Sequence, residues 1–209
     1  MIRITQLKLP INHTKEQLEK KIRYFMSKGI VYEEGKHLIV LFAGESVNDI
    51  SQKLYDVCQN NSDVYVGIGT TVSQLTDIYR SYETAFTAYQ LTKTALPKNF
   101  LEYDKLGVYK LLADIHNQSL TADFLNSTLG PILDYDAVHH TDYLHILEVY
   151  FDHDCSIIHT ANALYCHKNT LSYKLNKIKE LLDYDILTNE NRTNIMLSFY
   201  ILRLEKRSI

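Results

Sequence analysis

The chain is poor in the residues that staple or punctuate a fold. Its 209 residues include no tryptophan, three cysteines, three prolines and seven glycines. Cys58, Cys155 and Cys166 are odd in number and far apart in sequence. They outline no disulfide framework and suit a reducing, cytoplasmic setting. So little proline and glycine excludes collagen-like and low-complexity chains. Long apolar runs are also lacking. The longest, Leu38 to Ala43, falls far short of the roughly 20 residues of a membrane span, and the N-terminus has no apolar stretch of signal-peptide type. The expectation is a soluble protein with no membrane partner. An excess of one charge is missing too, with Lys+Arg 22 against Asp+Glu 25 and a net charge of −3.

What is present suits a globular chain of one or two domains. Hydrophobic residues make up 45% and charged residues 22%, and Tyr 16 and Phe 7 supply bulk in place of tryptophan. The near-neutral total hides an asymmetry. Residues 1–154 carry 14 basic and 20 acidic side chains, whereas residues 155–209 carry 8 basic and 5 acidic. A basic end on an acidic protein points to contact with a polyanion there.

The first half alternates strand and helix signals. Strands are read at Ile2–Leu9, Ile30–Tyr32, Leu38–Phe42, Val64–Gly69 and Phe100–Tyr103. Helices are read from Asn12–Thr14 to Met26, from Val47 to Cys58 and from Ser73 to Thr94. The order β-α-β-β-α-β-α-β predicts a ferredoxin-like or palm-like α+β domain, a mostly antiparallel sheet with helices on one face. The pair Gly67 and Gly69 at a strand end is too short for a dinucleotide fingerprint and marks a close backbone approach. On the long helix, Tyr79, Tyr82 and Tyr89 form a stripe read as half-buried packing, or else as a dimer seam.

After Leu106 only helical patterns remain: Leu106–His116, Ala122–Leu133 with a kink or break at Gly130-Pro131, Asp142–Phe151, Ile157–Leu164, Lys168–Leu182 and Glu190–Lys206. The polar Asn117-Gln118-Ser119 sets a domain boundary, giving 1–117 and 118–209.

The segment Ser156–Leu182 fits a helix-turn-helix: a short helix, a tight turn at Tyr165-Cys166 and a longer helix. Ala161 supplies the small residue where the helices meet. Ile158, Leu164, Leu171, Leu175 and Ile178 are read as the inward residues. From Lys168 to Lys179 there are four lysines and no acid. In this plan the second helix, about 167–182, enters the major groove. His167, Lys168, Asn169, Thr170 and Ser172 are the base-reading candidates, and Tyr173, Lys174 and Lys177 the phosphate contacts. A solvated helix face in an ordinary α-helical domain is the alternative for such a lysine-rich surface. Proteins of this plan pair to read two half-sites, so a homodimer is expected.

The stretch Ala161-Asn162-Ala163-Leu164-Tyr165-Cys166-His167-Lys168-Asn169-Thr170-Leu171-Ser172-Tyr173-Lys174-Leu175 resembles the A-x-x-L-x-[VC]-H-x-N-T-L-x-Y-[RK]-L signature of the CdaR/PucR-type transcription regulators. Leu129-Gly130-Pro131 with Tyr135-Asp136, and Leu147 to Phe151, are similar to the segments that precede it in that family. Val66 to Gly69, Tyr79 to Ala85 and Tyr103 to Leu112 resemble its degenerate GGDEF-like domain. The resemblance implies a GGDEF-like regulatory or dimerisation domain, a DNA-binding helix-turn-helix domain and double-stranded DNA as partner. It implies no catalysis and no cofactor. Family members commonly carry an N-terminal sensor, and this chain starts directly in the GGDEF-like domain. A member without that sensor is expected, and its small-molecule effector is unknown. Lys168 and Lys174 stand where the family commonly has arginine, which weakens bidentate guanine reading.

Two further features bear on function. An active cyclase needs a glycine-acidic hairpin to hold phosphates and metal, and Tyr32-Glu33-Glu34-Gly35-Lys36 does not supply it. Six of the nine histidines fall between His139 and His167 without zinc-like spacing, so surface or capping roles are expected; a pH or redox role through Cys155 or Cys166 is the lesser reading. The alternative to DNA binding as the main activity is a nucleotide- or effector-binding regulator acting through the GGDEF-like domain.

Overall fold

The computed structural model describes residues 2–8, 14–25, 29–34, 37–43, 47–59, 64–94, 96, 98–115 and 117–205. The chain divides into two compact units, the first taking in the residues to Asp114 and those from Arg203 on, the second Ile115 to Leu202. The helix start expected at Asn12-His13 and the hairpin turn at Gly35-Lys36 lie outside the described residues.

In the first unit the elements follow the predicted order: β1 (Ile2–Lys8), α1 (Thr14–Phe25), β2 (Ile30–Glu34), β3 (His37–Ala43), α2 (Val47–Gln59), β4 (Tyr65–Ile68), α3 (Ile78–Thr94) and β5 (Phe100–Glu102). The strands form one sheet in the order β2-β3-β1-β4-β5. Each neighbouring pair among the first four is antiparallel, and β5 joins β4 in parallel. This is the α+β class expected.

The helices, however, cover both faces of the sheet. Leu38, Val40 and Phe42 of β3 and Val66 and Ile68 of β4 pack with Ile22 of α1 and Ile50, Leu54 and Val57 of α2. The alternate residues of β3, Ile39 and Leu41, meet Ile78, Tyr82 and Ala85 of α3. Successive side chains of a strand point to opposite faces, so α3 lies across the sheet from α1 and α2. The glycines explain how it approaches. A Cβ on Gly67 would lie 2.6 Å from Tyr89 Cα, and one on Gly69 would lie 2.9 Å from the Ser81 carbonyl carbon. The Ser81 hydroxyl then donates to the Thr70 carbonyl at 2.7 Å, and the Thr70 amide to the Thr84 hydroxyl at 2.9 Å. The β3–α2–β4 and β4–α3–β5 crossovers step the same way across the sheet with helices on opposite faces. They therefore have opposite hand, and one departs from the right-handed rule.

Beyond β5 the expected helix Leu106–His116 shrinks to one turn, α4 (Tyr109–Leu112). The remaining helices are α5 (Gln118–His139), α6 (Tyr143–Asp152), α7 (Ile157–Ala163), α8 (Lys168–Leu182) and α9 (Asn189–Glu205). α5 is not broken at Gly130-Pro131 but runs through to His139. Proline removes only one helical amide donor, and the buried Leu125, Leu129 and Ile132 hold the turns on both sides of it. One apolar cluster joins α5, α6, α7, α8 and α9, with Leu129, Leu147, Leu171, Ile178 and Ile195 at 0% exposure. Among the described residues no helix is long and apolar enough to cross a membrane.

Candidate nucleic-acid interface

The interface is built around the turn between α7 and α8. Ser156 caps α7 by accepting the His159 amide. Seven residues later α7 ends in a Schellman turn: the Cys166 amide donates to the Ala161 carbonyl at 2.9 Å and the Tyr165 amide to the Asn162 carbonyl at 3.2 Å. Tyr165 occupies the left-handed position, at φ +51°, where glycine is usual. His167 then caps α8, its Nδ1 accepting the Asn169 amide at 3.2 Å.

Ala161 is buried at the helix contact as expected, beside buried Thr160. Leu171, Leu175 and Ile178 are buried and Leu164 is half-buried. Ile158 is not an inward residue; it is 66% exposed. In a helix of 3.6 residues per turn, Ile157 rather than Ile158 shares the face of Ala161 and Leu164.

Three features orient the hairpin. Asp136 near the end of α5 accepts the Tyr143 amide at 3.0 Å and the Leu144 amide at 2.9 Å, closing the start of α6. It also accepts the Thr141 hydroxyl. This gives the Tyr135-Asp136 pair noted in the sequence a structural role. The Tyr184 hydroxyl, just past α8, donates to the Thr128 carbonyl of α5 at 2.7 Å. Lys174 reaches Asp142 at 3.2 Å, linking α8 to the start of α6.

The eight sequence-predicted site residues are brought together on α8 and its cap. His167, Lys168, Asn169, Thr170 and Tyr173 are exposed, while Ser172, Lys174 and Lys177 are half-exposed. His167 spends Nδ1 on the cap, which leaves Nε2 as its outward polar atom. Asn169 and Tyr173 share the outward stripe, four residues apart. Asn176 continues it, exposed and seven residues from Asn169. Sequence reading passed over Asn176 because it kept the base-reading candidates to the start of the helix; the spacing from Asn169 would have found it. Glu180 ends the stripe and pairs with Lys177 at 3.1 Å. That hydrogen bond and charge raise the pKa of the Lys177 ammonium above its ordinary value. Burial raises that of the Tyr143 hydroxyl beneath this surface, with Tyr135 and Tyr173 adding to it and Lys174 and Lys177 opposing.

Other residues weighed for function sit elsewhere. His140 and His153 lie at helix C-termini, His153 with its Nδ1 2.9 Å from the Val149 carbonyl. Burial raises the pKa of the Cys155 thiol, the reverse of an activated thiolate. Tyr89 is buried at 1% exposure, whereas Tyr79 is 65% exposed, so the tyrosine stripe on α3 is split between packing and surface.

A helix-turn-helix with a polar outward helix, in an all-α unit that follows an α+β unit, defines the class. The comparisons agree. Residues 143–201 match the PucR C-terminal helix-turn-helix domain and residues 5–91 a GGDEF-like domain. The proline-responsive transcriptional activator PutR of Bacillus subtilis is 28% identical over 142 residues, 67% of this chain and 34% of that one. The purine catabolism regulatory protein of Bacillus subtilis is 30% identical over 142 residues, 68% of this chain and 26% of that one. The carbohydrate diacid regulator of Escherichia coli is 28% identical over 143 residues, 68% of this chain and 35% of that one. The chain thus spans about a third of the length of these relatives. In its two matched domains and their order it is similar to the PucR/CdaR-type regulators.

Proposed function

We propose that the chain is a sequence-specific DNA-binding transcription regulator that reads the major groove with α8 and catalyses no reaction. The observation that carries this reading is the outward face of α8. Its first turn is capped, and Lys168, Asn169, Thr170 and Ser172 stand at the end that a recognition helix turns to base edges. Asn169 and Asn176 suit bidentate contact with adenine, and Lys168 suits guanine acceptors. Tyr173, Lys174 and Lys177 serve phosphates, and the two lysines exchange their carboxylate partners for them on binding. His167 acts chiefly through the cap. The relatives are named as activators or regulators of transcription, which supports the same role here.

The test is selection of a duplex from a random pool, followed by titration with variants. Asn169→Ala and Asn176→Ala should each cost about 1–3 kcal/mol on the selected site and relax preference at one base pair. Loss of Lys177 should lower the salt slope by about 1 without changing preference. A wild-type chain that enriches no sequence overturns the reading.

A second reading rests on one observation in the first unit. A cavity of about 1150 Å³ lies along α2 and the β5 segment, lined by Gln52, Tyr55, Asn99, Phe100, Glu102 and Lys105 among others. Its mixed polar and aromatic lining supports a small-molecule effector site. Calorimetric titration with metabolite mixtures, and with guanine nucleotides, checks it.

A further inference from the structure

We infer that the cavity beside β5 takes a short peptide with both ends free, which adds to the sheet as a further strand antiparallel to β5. This names the ligand class of the effector site proposed above and rests on that reading. β5 is the last strand of the sheet, and among the described residues no strand lies beyond it. The Val66 amide donates to the Asn99 carbonyl at 2.8 Å, so Asn99 and Leu101 turn their backbone groups towards β4. Phe100, between them, turns its amide and carbonyl the other way, to the open edge. The cavity of about 1150 Å³ borders this strand, lined by all of Asn99 to Glu102 and, from α2, by Gln52 and Tyr55 among others. An open strand edge is a template for one more strand.

Charge and length select a short peptide as the occupant and give its direction. Lys98, exposed and part of the cavity wall, stands before β5. Glu102 and Asp104 stand at its far end, where they outnumber Lys105, which pairs with Glu102 at 2.6 Å. A strand antiparallel to β5 therefore carries a terminal carboxylate to Lys98 and a terminal ammonium to the acidic end. A parallel strand would reverse both. β5 has three residues, so it pairs with about as many, and an extended tripeptide spans about 10 Å. With its middle residue opposite Phe100, it exchanges two hydrogen bonds with that residue. Its carboxylate then lies about level with Lys98 and its ammonium about level with Glu102. Directly opposed residues share a face. The middle side chain thus joins the Phe100 ring, which packs on the core edge to face with Tyr55 at 5.4 Å, and an apolar residue suits that place.

The test is titration of the full chain with alanyl-leucyl-alanine, followed by calorimetry and by the amide resonances of Tyr55 and Phe100. Binding should saturate and shift both resonances. Amidating the C-terminus or acetylating the N-terminus should each weaken binding by about tenfold, since each removes one charge-assisted contact. Methylating the middle nitrogen should abolish it, because the Phe100 carbonyl then has no donor to accept. Lys98→Gln, at an exposed position, should weaken the free peptide by about tenfold and leave the amidated peptide unchanged. Binding that ignores both blocked ends, survives the methyl group or is indifferent to Lys98→Gln overturns the proposal. A loss confined to the C-terminal block overturns it in favour of the tail of a longer chain. If the tripeptide leaves both resonances unmoved while metabolite mixtures shift them, the peptide assignment falls and the effector site stands. If neither moves them, both readings fall.

Discussion

Asp136 of α5 accepts the backbone amide of Leu144 in the first turn of α6 at 2.9 Å, and so supplies the cap that Asp142, the residue preceding α6, does not. Asp142 is left to face Lys174 of α8. One carboxylate fixes the helix on which the helix-turn-helix rests, and the other touches its second helix. Asp136→Ala removes two acceptors from helix amides that have no intrahelical partner. It should cost about 2–3 kcal/mol, since hydrogen bonds to a charged group are the stronger kind. Asp136→Asn keeps one acceptor and should cost about half as much. Urea unfolding followed by helical circular dichroism measures both. An Asp136→Ala midpoint equal to wild type would remove Asp136 from this role.

Tyr165 supports a prediction of the opposite sign. Its backbone is left-handed, at φ +51°, and its side chain is 97% exposed, so packing does not repay the strain. Tyr165→Gly relieves a steric cost of about 1–2 kcal/mol and adds chain entropy to the unfolded state, for a net gain of about 0.5–1 kcal/mol. Tyr165→Ala keeps the Cβ and should bring no gain. Thermal melts of the two variants beside wild type decide the matter. If alanine stabilises as much as glycine, the backbone explanation is wrong.

The sequence was most legible where local chemistry decides structure. α8 is bounded by His167 and Asp183 and matches the helix read over Lys168–Leu182. The order of strands and helices in the first unit was legible because each apolar run is short and flanked by polar turns. What escaped was long-range. Leu38 to Phe42 is an unbroken apolar run of the kind a strand shows when covered on both faces. Read alone, it implied a strand, but not the helix on the far side. Gly67 and Gly69 marked a close approach without naming α3 as the element that makes it. Ile158 was misassigned because a seven-residue helix offers too few turns for its buried face to be fixed by pattern. The pairing of Lys174 with Asp142, 32 residues apart, has no local signal.

Tyr89 makes the first unit sensitive to alkali. Burial against the sheet, with a smaller contribution from Tyr65, pushes its phenol from 10.0 up to about 12. Its hydroxyl lies 3.1 Å from His37 Nε2. A raised pKa means that the folded state holds the proton more tightly than the unfolded chain. The contribution is therefore complete below about pH 10 and is lost as the pH rises towards 12. Tyr89→Phe has no such proton. The stability difference between wild type and Tyr89→Phe should be constant from neutral pH to about 9, then move against wild type. Denaturant titrations at a series of pH values follow it. A difference that stays flat past pH 10 would show that this phenol ionises as readily folded as unfolded.

The contact between Lys174 and Asp142 gives the last prediction, which rests on the proposed role of α8. Both side chains are well exposed, 34% and 59%, so the pair adds little to stability. Its larger effect is electrostatic. Asp142 places a negative charge beside a helix that must meet phosphates, and it occupies one of the few cations available. Asp142→Asn removes that charge and frees the lysine. Affinity for non-specific duplex should rise by roughly three- to tenfold at low salt, and the salt slope should steepen by about 1. Affinity for the selected site should rise by the same factor, because a phosphate contact carries no sequence information. Lys174→Gln should do the reverse in both. Filter binding across a salt series on both duplexes reads slope and ratio together. If Asp142→Asn changes the ratio between selected and non-specific duplex while leaving the slope alone, Lys174 is a base contact and the division of roles along α8 must be redrawn.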